Sequence, residues 1–178
     1  MKDSALSVAN YFVQKSLEGD ESLKPLKLMK LVYIAHGFML AMLDRSVFNP
    51  KFDKVEAWKY GPVVPSVYHS FKSFRNQPID KKTVIAKSED SINFTFEEPM
   101  LIDEEAIVVC NMVWKRYKEY PDGKLVDILH GAGTPWKRCY IPDMNMPIPD
   151  GLTKAYYKGL VKILLEVAKK NGWKQSSN

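Results

Sequence analysis

Residues 25–43 read PLKLMKLVYIAHGFMLAML, and this stretch decides the fold class. Pro25 suits the first turn of a helix, where its missing amide hydrogen would have no partner, and from Leu31 to Leu43 the residues are apolar nearly all round. Such a helix belongs in a core. Crossing a bilayer takes about 20 apolar residues, and this run is shorter and contains His36, so a buried central helix is expected rather than a membrane anchor. Amphipathic helices must then wrap it. Upstream, Ser4 is placed to cap a helix whose Ala5, Val8, Ala9, Phe12 and Val13 share one face until Gly19 ends it.

Downstream, the segment Phe48 to Tyr60 closes on a period of two, with Val55, Ala57 and Lys59 alternating with Glu56, Trp58 and Tyr60, which reads as a strand stopped by Gly61-Pro62. Pro65 opens a short helix reaching Phe74, and Thr83 to Ala86 and Ile92 to Phe96 read as a hairpin. Asp103 caps an amphipathic helix running to about Tyr120. A short helix spans Lys124 to His130, Thr134-Pro135-Trp136 has the order of another helix start, and Ile141 to Pro149 reads as a loop. Asp150 caps the last helix, with Leu152, Tyr156, Leu160, Ile163, Leu164 and Val167 as its buried stripe and Gly172 as its stop. The expected fold class is α+β and predominantly α-helical, a central apolar helix packed by amphipathic helices with a small antiparallel sheet. It should form one domain over residues 1–173, with 174–178 as a frayed tail.

Composition agrees: the 178 residues are 46% hydrophobic and 12% aromatic, enough apolar surface to form a core and exclude a disordered chain. The opening MKDSALSVANYF lacks the apolar run of a secretory signal, so a cytoplasmic protein is expected. Two cysteines, Cys110 and Cys139, lie far apart without CxxC spacing, which argues against a disulfide framework or a zinc site. The net charge of +5 is concentrated at the end, because residues 154–178 hold 6 of the 26 basic and 1 of the 21 acidic side chains. A nucleic-acid binder spreads its cations along a phosphate-following stripe, and outside this helix there is none.

No catalytic, metal or cofactor site is legible. His36, His69 and His130 match no ligand spacing, HExxH is absent, and each reads more readily as a satisfied core histidine than as an acid, base or ligand. Gly131-Ala132-Gly133 lacks both the Rossmann and the Walker continuation, and a helix stop before a capped helix start accounts for it. GxSxG is absent as well. Lys154, Lys158 and Lys162 recur every fourth residue and form either a solvated face or a row that steers an acidic partner.

The densest feature is AWKYGPVVP, residues 57–65, followed by Tyr68-His69. Polar-tipped rings on a segment stiffened by prolines supply contact area at low entropic cost, as a protein-binding surface requires. The alternative is that Trp58 and Tyr60 pack inward on the central helix, since a strand must turn one face to the core.

These residues resemble the SocA-like Panacea antitoxin domain, also met as a phage-associated GepA-like family. The likeness begins at Ala9-Asn10-Tyr11-Phe12, is clearest in Leu26 to Tyr33 and Ala35-His36-Gly37, and continues through AWKYGPVVP to His130, Pro135-Trp136-Lys137 and Ile148-Pro149-Asp150. It implies a mostly helical domain acting as the antitoxin of a type II toxin–antitoxin pair, neutralising a cognate protein toxin by direct binding and performing no catalysis. Partner contacts are expected at Trp58, Tyr60, Pro62, Val63, Pro65, Tyr68 and His69, with Lys154, Lys158 and Lys162 in support. Two alternatives stay open: an adaptor delivering the toxin to a ClpXP-type protease, and a phage-associated enzyme or nucleic-acid factor using His69 or His130. Met29 and His36 stand where relatives tend to carry glutamine, and Leu129-His130-Gly131 replaces a threonine-histidine-acid string, which puts any role tied to those polar positions in question.

Overall fold

The computed structural model describes residues 3–19, 21–88 and 93–170, with Ser88 described by its backbone alone. The expected stop at Gly172, the tail 174–178, and the strand start at Ile92 lie outside the described residues. Helix α1 spans Ala5–Glu18, capped by the Ser4 hydroxyl, and α2 spans Pro25–Met42. Strands β1 (Glu56–Trp58) and β2 (Gly61–Val63) precede α3 (Pro65–Phe71), which tightens into a 3₁₀ turn over Lys72–Phe74. Then come the hairpin β3 (Ile85–Ser88) and β4 (Phe94–Glu97), helices α4 (Glu104–Tyr117), α5 (Asp122–His130) and α6 (Pro135–Cys139), strand β5 (Met146–Pro147) and α7 (Asp150–Lys170). The fold is predominantly helical with a small antiparallel sheet, as expected.

Helix α2 is the axis. Residues 27–40 are all buried, and α1, α3, α4, α5, α7 and β2 pack on it. By length and composition it would suffice to cross a bilayer, but 83% of that apolar window is buried inside the protein.

The sheet differs from expectation in three ways. The strand expected over Phe48 to Tyr60 is confined to Glu56–Trp58, because Asn49 to Asp53 fold into a turn around a carboxylate. Asp53 accepts from the Ala5 and Asn49 amides, both at 3.0 Å, and from the Ser66 hydroxyl at 2.9 Å, which ties α1, this turn and α3 together. Gly61-Pro62 does not end the sheet. It starts β2, which pairs with β1 in the register Glu56↔Val63, Ala57↔Pro62 and Trp58↔Gly61. Proline is tolerated because β2 is an edge strand in the order β2-β1-β5. The segment read as the loop Ile141 to Pro149 contributes β5, antiparallel to β1. Strands β3 and β4 pair with each other in a separate sheet, shifted from the expected bounds. Asn10 fixes the base of that hairpin, donating to the Thr83 and Pro99 carbonyls and accepting from the Thr83 amide.

The last helix is rotated from its expected orientation. Its fully buried residues are Thr153 and Tyr157; of the expected stripe, Leu152, Tyr156 and Leu160 are half-buried, the latter two against the core, while Ile163, Leu164 and Val167 are exposed. The cause lies in α2. Gly37 carries no side chain where the Tyr157 ring crosses, and a Cβ there would lie 2.6 Å from Tyr157 Cζ and closer to two other ring carbons. Tyr33 and Phe38 flank the notch with edge-on rings 6.1 and 5.0 Å from that of Tyr157.

Helix propensity alone would make Gly37→Ala stabilising by about 1 kcal/mol, but overpacking a filled core costs about 1–3 kcal/mol. We expect Gly37→Ala to lower stability in denaturant melts. Gly37→Ala combined with Tyr157→Ala should lose less than the two single losses together, since the second change removes the atoms that the first strikes.

Candidate functional site

The β1–β2 hairpin turns through Lys59 and Tyr60, and two donors below hold its backbone. Trp136 Nε1 donates to the Trp58 carbonyl at 2.8 Å, and Lys30 Nζ donates to the Pro62 carbonyl at 3.1 Å. Gly61 sits between them at φ +105°, and a Cβ there would come within 2.8 Å of Lys30 Nζ and 3.3 Å of His130 Nε2. Only glycine combines that dihedral with that approach. The side chains above the hairpin are thereby set. Trp58 is half-buried, its indole N–H donating to Glu56 Oε2 at 2.7 Å and its ring meeting Tyr68 edge-on at 4.8 Å. Tyr60 is 63% exposed, with Lys59 Nζ over its ring at 5.6 Å.

Helix α3 adds the second wall, because Val67 and Phe71, four apart, turn inward and leave Tyr68 half-buried and His69 exposed. Between hairpin and α3 lies a groove of about 660 Å³. Trp58, Tyr60 and Tyr68 line it with Tyr140, while Lys59, Lys72 and Arg75 give its lining a positive character against a single carboxylate, Asp143.

Of the expected contact residues, the groove gathers Trp58, Tyr60, Val63 and Tyr68. Pro62 is buried within β2, Pro65 opens α3 in partial burial, and His69 lies on its outer side. Lys154, Lys158 and Lys162 do not line the groove. Lys154 and Lys158 both pair with Asp44, at 2.8 and 3.1 Å, and these bonds hold the Asp44 carboxyl below its usual range. Sequence reasoning missed Lys30 of α2, Lys72 and Arg75 at the 3₁₀ turn, and Tyr140 after α6, all of which line the groove. Lys30 alone left a trace, as a cation set between Met29 and Leu31.

The three histidines have distinct surroundings. His36 is buried and satisfied as expected, bonded to Ser46 Oγ at 2.8 Å and Asp150 Oδ1 at 3.1 Å, and that bond lowers the Asp150 pKa. Asp150 thus anchors the start of α7 through α2. His130 stacks flat on Trp136 at 3.6 Å, but its Nε2 is buried without a hydrogen-bond partner, so it is not a satisfied core histidine. Burial, then the nearby Lys30 amine, pushes its pKa down. Burial likewise raises the Cys110 and Cys139 thiol pKa values, which disfavours the thiolate. Among the described residues there is no group of three or more His, Cys, Asp or Glu able to hold a metal ion.

The hairpin and α3 that wall this groove lie within the part of the chain that comparison identifies, while Tyr140 and Asp143 lie beyond it. The model of the antitoxin SocA-like, Panacea domain family matches residues 28–137. The chain belongs to that family. A curated relative of this Panacea chain, Antitoxin SocA of Caulobacter vibrioides (strain NA1000 / CB15N), is 30% identical over 132 residues, covering 74% of this chain and 68% of the relative. No solved structure matches the chain. The Panacea match runs from α2 to α6 and so contains both donors that hold the hairpin, Lys30 and Trp136.

Burial pushes the Lys30 amine down to about 7 from its ordinary value near 10.4. Between those values the unfolded chain binds one proton more than the folded one, so this group's contribution to stability rises with pH from about 7 to about 10 and is constant below. The stability of wild type minus that of Lys30→Met, from denaturant melts across this range, should grow with pH. A flat difference would show that Lys30 titrates normally.

Proposed function

We propose that this protein is the antitoxin of a type II pair, neutralising a protein toxin by binding it directly through the groove between the β1–β2 hairpin and α3. The observation carrying this reading is the groove itself: four rings, two of them on a hairpin whose carbonyls are held by buried donors from α2 and α6, and one of those two 63% exposed. Rings that are ordered before binding lose little entropy on contact, and aromatic anchors carry a large share of interface energy. The basic lining favours a toxin surface that offers carboxylates around an apolar or aromatic side chain. Membership in the SocA-like family and likeness to a protein named an antitoxin supply the functional class.

The mode of action is occlusion without chemistry. Lys30 has a depressed pKa, but its amine is fully buried and donates to a backbone carbonyl, and His130 Nε2 is equally enclosed. Neither is open to a substrate in the groove.

Co-expression with the toxin encoded beside it should restore growth, and the two proteins should co-purify. Tyr60→Ala and Tyr68→Ala should each weaken the complex by about tenfold or more, the scale of an interface anchor, in surface plasmon resonance. Lys154→Ala should change affinity by less than about twofold, since it is committed to Asp44. Rescue accompanied by a shortened toxin half-life and no lasting complex would instead indicate delivery to a protease. Absence of both rescue and co-purification would exclude the antitoxin reading.

A further inference from the structure

After burying Thr153 and Tyr157, α7 emerges from the cover of its neighbours: Ile163, Leu164, Leu165 and Val167 are 57, 50, 44 and 49% exposed. Surface helices ordinarily place charged residues at such positions. Val161, Leu164, Leu165 and Ala168 follow the i, i+3, i+4, i+7 spacing of a helix-packing seam and form one wall of a trough of about 400 Å³. Phe38 and Met42 of α2 and Met112 of α4 form the other wall. On the opposite side, Val161 and Leu165 also border a second trough edged by Lys158, Lys162 and Lys169, with Glu166 as its acid. Lys158 is shared with Asp44, whereas Lys162 and Lys169 pair with no described carboxylate.

We propose that this ridge docks an amphipathic helix of another polypeptide, one with aliphatic side chains along a face and carboxylates along the edge that meets Lys162 and Lys169. The seam runs along α7, so a helix laid beside it can insert its own row of side chains, and the two methionines adapt to their shape. The lysine edge sets the polarity of the occupant. A second copy fits poorly, because two-fold pairing of the ridge would bring one lysine row toward the other with a single glutamate on each side. The inference is independent of the toxin groove. None of these side chains lines that groove, and α7 lies beyond residue 137, where the family match ends.

A fluorescently labelled synthetic helix of about 18 residues, five turns, with leucines on one face and glutamates along one edge, tests this by anisotropy against the full chain. A twin with lysines in place of the glutamates is the control. The acidic helix should bind roughly tenfold tighter than the twin, the gap should narrow as salt is raised, and Lys162→Glu with Lys169→Glu should erase it. Leu165→Glu, at an exposed position and checked for folding by circular dichroism, should abolish binding of both helices, while Tyr60→Ala leaves it unchanged. Equal affinity for the two helices, no binding by either, or binding indifferent to Leu165→Glu would overturn the proposal. Self-association in sedimentation velocity that Leu165→Glu dissolves would also overturn it, naming a second copy as the occupant.

Discussion

A helix without a solvent face has to bury every polar group it carries, and in α2 that requirement positions the rest of the molecule. Lys27, Lys30 and His36 are all buried, and an unsatisfied buried donor costs about 1–3 kcal/mol. Each finds a partner on a different segment. Lys27 Nζ donates to the Lys118 carbonyl at the end of α4, Lys30 Nζ to Pro62 in β2, and His36 joins Ser46 to Asp150 at the start of α7. Apolar burial alone would let those segments slide on the helix, since it has no direction. The four directional bonds of these three residues and the notch at Gly37 fix them.

That arrangement explains how much could be read from the chain. Helix ends were legible because caps are local: Ser4, Asp103 and Thr134 each accept from a backbone amide three residues on. Buried α2 was legible because an apolar run shorter than a bilayer span and holding His36 reads as a core helix rather than an anchor. The rotation of α7 was not, because it depends on an absent side chain at Gly37, far away in sequence. The strand over Phe48 to Tyr60 was overextended for a similar reason. Asp53, whose bonds to Ala5 and Ser66 span long stretches of chain, draws its neighbourhood into a turn that the alternation pattern does not register. Of the groove, the aromatic half was visible as AWKYGPVVP, while Lys30, Lys72, Arg75 and Tyr140 are brought to it by tertiary structure alone.

The same constraint bears on where binding surfaces can form. A docking surface works best when its anchors are held without being covered, and the β1–β2 hairpin meets this by being supported from one side only. Lys30 and Trp136 approach its carbonyls from beneath, Gly61 lets the amine come close, and the rings of Trp58 and Tyr60 are left lining the groove. Pro62 adds a second effect, because an edge strand lacking an amide at that position presents one donor fewer to a foreign strand. The hairpin therefore offers side chains while discouraging sheet extension, which favours recognition by complementary shape and charge.

The ridge on α7 follows from the other end of the same geometry. Once Tyr157 enters the Gly37 notch, helical periodicity dictates which later residues face α2, and Leu160 and Val161 complete that contact in partial burial. Ile163 and Val167 then fall to one side of that face, while Leu164, seven residues on from Tyr157 and on the same face, stays exposed in the trough beside Phe38 and Met42. If burial against α2 were the only demand on this helix, charged residues would serve at those positions as well, as Lys158 and Lys162 do nearby. The register set at Tyr157, together with the end of cover beyond Val161, thus separates two kinds of hydrophobic residue in α7: those that hold the protein together and those that the protein leaves outside.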